Sequence, residues 1–187
     1  MKSLISSLRL VIVTMLICVA GYTAIILAVG QIATPDTANG HLITDSDGKI
    51  IGSRLIAQKF EQPHYFWPRP SAAGEDGYDA TSAAGSNKSP TSGDLTERAR
   101  QLIERYDASA EKPLPPELAA ASGGGLDPHI TEHAARYQAE RVAKARNVSV
   151  SEIETLIGQH AFAPGGALTT GRIVNVLELN LALDSIP

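Results

Sequence analysis

Apolar and polar positions divide this chain unevenly. No charged residue lies between Arg9 and Asp36, and Leu10 to Val29 is the most apolar window. Only Thr14, Gly21, Tyr22 and Thr23 soften it, and a helix interior in lipid tolerates all four. At ~1.5 Å per residue, such a helix covers the ~30 Å hydrocarbon core of a bilayer. The pattern predicts a transmembrane helix over residues 10–33, preceded by a short segment, residues 1–9, and followed by residues 34–187. A cleaved signal peptide is the alternative, with Ala28-Val29-Gly30 as its small-x-small site, but signals usually carry only ~7–15 apolar residues. Cys18 follows bulky Ile17 in mid-span, which suits a small apolar helix residue better than a lipidated one.

Beyond the span the periodicity is mixed. Gly40–Ile43 and Lys49–Ala57 flank the turn Asp45-Ser-Asp-Gly48 and read as a hairpin. Pro63, Pro68 and Pro70 keep residues 61–70 irregular, and the Ser, Ala and Gly of residues 71–93 make a loop. Asp94 to Tyr106 places Leu95, Ala99, Leu102, Ile103 and Tyr106 on one helical face. A Pro- and Gly-rich connection, residues 107–125, follows, with room for a helical turn at Glu117–Ala121. Thr131 is placed to cap a helix that runs to about Asn147. Ser149 and Glu152 have capping-box spacing for another, to about Gln159. Ile173 to Leu183 fits both periods; its Leu and Ala content favours a helix from about Asn175. The fold class expected is α+β: one membrane helix and a mixed α/β domain outside the cytoplasm.

Charge sharpens this division. Of 16 Lys and Arg, only Lys2 and Arg9 precede residue 34, so the rest of the chain holds 14 against 20 acidic residues, a net −6. The positive-inside rule puts the N-terminus in the cytoplasm and the larger part outside. An acidic domain argues against nucleic acid as a partner. The single cysteine excludes an internal disulfide and a cysteine-rich zinc site.

Candidate chemistry is sparse. The chain contains neither a P-loop nor the phosphorylation sequence of a P-type pump nor a Gly-x-Ser-x-Gly elbow. Ser122 and Gly123, Gly124 and Gly125 could offer backbone amides to a phosphate, or simply form a flexible connection. His129 and His133 stand four apart, but Thr131 caps between them and no Glu completes a zinc motif, so no metal site is assigned. No catalytic residue is assigned either. Tyr65, Phe66 and Trp67, followed by Arg69, hold three of the nine aromatic residues in a Pro-bounded stretch. They are either partner-docking anchors or the closure of a small core. Gly21 and Thr23 could permit close helix approach in lipid.

Several stretches together resemble one family. They are Gly52–Gln58 with Phe60; Tyr65-Phe66 with Arg69–Ala72; Gly85–Asn87; Gly125–Ile130; Gln138 with Arg141–Arg146; and Val174–Asn180 with Ala182–Asp184. Their order and spacing are similar to those of the KdpC family, the C subunit of the Kdp potassium-transporting P-type ATPase. The resemblance implies a non-catalytic accessory subunit of a high-affinity, ATP-driven K+ importer in the bacterial plasma membrane. Its implied partners are a channel-like K+-binding subunit, which it caps on the outer face, and a P-type subunit that hydrolyses ATP. A small single-span subunit and the lipid bilayer complete the setting. The family is also described as a catalytic chaperone for ATP binding, so ATP is implied as a ligand, with no tightly bound cofactor. The family's Ser-Gly-Ser-Gly-type stretch reads Ser122-Gly-Gly-Gly125 here, one hydroxyl fewer. The rival readings are a membrane-anchored hydrolase and a free-standing binding module.

Overall fold

The computed structural model describes residues 2–186, and the chain divides into two compact units, residues 1–51 and 52–187. Helix α1 (Lys2–Met15), a π-helical stretch (Leu16–Gly21) and α2 (Tyr22–Ala33) run on as one apolar helix of 32 residues. It is long and apolar enough to cross a membrane, and none of its residues is buried. The Thr14 hydroxyl donates to the Leu10 and Val11 carbonyls, each at 2.9 Å, so its polar group is satisfied within the helix. Pro35, which has no amide hydrogen, ends the run and opens the short helix α3 (Pro35–Ala38).

Strands β1 (Leu42–Thr44) and β2 (Ile50–Ser53) form the expected hairpin, shorter than its apolar pattern suggests. At its turn, Asp45 accepts from the Asp47 and Lys49 amides at 3.0 and 2.9 Å, and Gly48 takes a φ of +76°. The strand does not continue to Ala57. The Leu55 amide donates to Ser53 Oγ at 3.1 Å and the Ala57 amide to Leu126 at 3.0 Å, so neither is left for a ladder.

The second unit contains α4 (Gly93–Arg105), α5 (Pro116–Ala119), β3 (His129–Thr131), α6 (Glu132–Arg146), α7 (Val150–His160), β4 (Ile173–Asn175) and α8 (Val176–Asp184). β3 and β4 pair antiparallel, with Ile130 opposite Val174. Helices α6, α7 and α8 pack with this ribbon around one apolar core. Small residues of α6, Ala134, Ala135, Ala139 and Ala143, share that core with Ile153 and Ile157 of α7 and Leu179 and Leu183 of α8. Caps fix the helix starts. Thr131 accepts from the Ala134 amide, and Ser149 and Glu152 form a reciprocal capping box. The ambiguous Ile173–Leu183 stretch is strand and then helix. Asn175 marks the change, accepting from the Glu178 amide at 3.2 Å and donating to Arg54 at 2.8 Å. One apolar helix followed by helices and small sheets is an α+β architecture.

Candidate functional site

Between Ser53 and Gly93 the backbone forms neither helix nor strand. Prolines at 63, 68 and 70 forbid a ladder there, yet Phe66 and Trp67 are 0% and 7% exposed. Their backbone groups therefore need partners inside the protein. Two buried amides supply them. Asn180 of α8 accepts from the Phe66 amide at 2.8 Å and donates to the Phe66 carbonyl at 3.0 Å. Gln138 of α6 does the same for Trp67, at 2.9 and 3.1 Å. Each side chain takes the place of a neighbouring β-strand for one residue.

Guanidinium groups secure the flanks. Arg141 donates to the Tyr65 carbonyl at 3.0 Å and to Gln138 Oε1 at 2.7 Å, and lies 3.6 Å from the Trp67 ring centroid. Burial pushes its pKa down to about 10. Arg146 donates to the His64 carbonyl at 2.8 Å and the Leu183 carbonyl at 2.9 Å, and pairs with Asp184 at 2.6 Å. The Tyr65 hydroxyl donates to Asp184 at 2.8 Å, and that bond, with burial, raises its pKa. Arg69 pairs with Asp127 at 3.3 Å and donates to the Ala121 carbonyl. Hydrogen bonding from His129 holds the Asp127 carboxyl below its ordinary range, with Arg69 adding to the effect against burial.

The Ser122–Gly125 turn is packed beside this strap. The Ser122 amide donates to the Pro70 carbonyl at 3.2 Å, its hydroxyl accepts from the Asp127 amide at 3.4 Å, and the Gly125 amide returns to the Ser122 carbonyl. Gly125 has a φ of +73°, and a Cβ there would stand 2.6 Å from the Ala84 carbonyl. Ser122 and Gly125 are buried, leaving Gly123 and Gly124 exposed.

The sequence-predicted residues thus divide. Phe66 and Trp67 face inward, Tyr65 and Arg69 are half-buried, and Ser122 meets Arg69's neighbour Pro70. Gly21 closes the π-helical stretch in the first unit, with Thr23 exposed in the turn that follows. His129 sits in β3 beside Asp127, whereas His133 is exposed on α6. Sequence reasoning did not find the clamping role of Gln138 and Asn180. The available signal was a buriable amide set among the Ala and Leu of an apolar helix face.

The family model described as "KdpC: K+-transporting ATPase, c chain" matches residues 4–185. A potassium-transporting ATPase KdpC subunit of Parvibaculum lavamentivorans is 60% identical over 186 residues, covering 100% of this chain and 98% of that protein. Subunits of the same description from Paraburkholderia phytofirmans and Methylococcus capsulatus are each 41% identical, covering 100% and 96% of this chain and 98% and 96% of those proteins. The chain belongs to the KdpC family.

Proposed function

We propose that this member of the KdpC family is a non-catalytic subunit of an ATP-driven K+ importer, held by its N-terminal helix and capping the outer face of a channel-like partner. The observation that carries the reading is the helix Lys2–Ala33, apolar and without a buried residue. Such a surface is stable only against lipid or another membrane helix. The placement of Lys2 and Arg9 before the span supports a folded domain on the outer side. There, its net −6 raises the local cation concentration at a K+ entrance.

Catalysis then belongs to the P-type subunit, on the cytoplasmic side where ATP is abundant. The family's chaperone role in ATP binding is the less supported half of the resemblance. At the Ser122–Gly125 turn two of the amides are engaged internally, those of Ser122 and Gly125, and the Ser122 hydroxyl is engaged as well. Purification of the tagged full chain in mild detergent tests the proposal. Channel-like and P-type subunits should accompany it. Isolation as a monomer from membranes, or hydrolytic turnover by the chain alone, would overturn it. A C-terminal reporter active only in the cytoplasm should be silent, and activity there would reverse the orientation.

A further inference from the structure

Beside the clamped strap, a recess of about 430 Å³ opens between the end of α4 and the face of α6. Arg105, Lys112, Arg141 and Lys144 line it against two carboxylates, Asp107 and Glu140. Lys112 and Glu140 neutralise each other as an ion pair. Three cations and one carboxylate remain, an inversion of the net −6 carried by residues 34–187.

The cations are also crowded. Arg105 lies 4.0 Å and Arg141 3.6 Å from the Trp67 ring centroid, so their guanidinium carbons stand no more than about 8 Å apart. Among the described residues neither is paired with a carboxylate. Arg105 bonds the Phe60 carbonyl at 3.4 Å, and Arg141 bonds carbonyls and Gln138. Burial depresses the pKa of Arg141, and the charge of Arg105 adds to that effect. The Lys144 side chain is exposed, with no hydrogen bond or ion pair among the described residues. Like charges this close are relieved by an oxyanion beside them. Around them run Trp67, Tyr106 and Tyr137, in ring contact at 5.1 and 6.2 Å. Arg, Trp and Tyr are the residue types enriched in binding hot spots.

We propose that this recess receives an Asp- or Glu-bearing segment of a partner subunit in the transport complex. The inference rests on the proposed function. Charge complementarity selects the occupant: residues 34–187 carry a net −6 that repels such a segment, whereas this recess is locally cationic.

The test compares capture of partner subunits by the tagged full chain and by the double variant Arg105→Glu/Lys144→Glu. Both side chains are exposed, so the fold should persist, and the thermal melt checks it. The double variant should capture roughly tenfold less partner or worse. Capture by the wild type should weaken as salt rises. Arg100→Glu, half that charge change, on the helix of Arg105 but outside the recess, should capture normally. Equal capture by wild type and double variant at every salt concentration would overturn the inference alone. Capture of no transporter subunit by the wild type would overturn the proposed function and this inference with it. If inorganic phosphate raises the melting temperature of the wild type but not of the double variant, while capture is equal, the recess binds a small anion and the inference fails.

Discussion

Along Lys2–Ala33 no side chain is buried, whereas in residues 52–186 even the amides of Gln138 and Asn180 are enclosed. The helix satisfies its backbone within itself and leaves its apolar surface to its surroundings. The domain closes an irregular segment by lending side-chain amides to backbone groups. One region specifies its fold locally and depends on its environment for stability. The other depends on contacts between residues 71 and 114 positions apart, as at Trp67–Gln138 and Phe66–Asn180, and is stable through them.

Substitutions should separate these two sources of stability. Phe66→Ala empties a fully buried ring position and should cost ~3–5 kcal/mol in a denaturant melt of the domain. A loss under ~1 kcal/mol would mean that the strap is not part of the core. Asn180→Leu strands the Phe66 amide and carbonyl, at ~1–3 kcal/mol for each group. Full stability of that variant would refute the clamp. In the helix, Leu16→Arg should add ~2.5–3.5 kcal/mol to membrane insertion and lower the membrane-bound fraction, with the domain's own melt unchanged. A shifted melt would show that the two regions are coupled. Ser149→Ala removes half of a capping box and should cost ~1 kcal/mol. That loss should leave membrane fractionation unaltered.

The smallest effect expected concerns pH. Asp127 has a folded pKa below its unfolded value, so the unfolded chain takes up its proton first. Its contribution is present above the ordinary value of ~3.9 and is lost as pH falls through the lower folded value. Asp127→Asn should therefore flatten the acid side of the stability curve below pH ~4, measured by melts across pH. An unchanged slope would remove Asp127 from the acid response.

Local features were legible in the sequence. The apolar N-terminal helix, the Thr131 cap and the Ser149–Glu152 box each lie within one segment and obey short-range rules. Ile173–Leu183 satisfied two periods because it contains both elements, joined at Asn175. Tyr65–Arg69 showed that its aromatics mattered, but not whether they face in or out. That answer depends on Asn180 and Gln138, whose distance along the chain no local pattern encodes. No local pattern marked the recess, because the convergence of Arg105 and Arg141 on Trp67 needed the fold.

The Phe66–Asn180 pairing has a consequence for biosynthesis. At ~5–20 residues per second, the 114 positions between them take roughly 6–23 s to synthesise. Throughout that interval the aromatic strap exists without the amide that holds it. Its rings are then open to chaperones and to other nascent chains. Closure comes only when α8 arrives, so the domain matures after translation of its last helix rather than growing stepwise from the membrane outward.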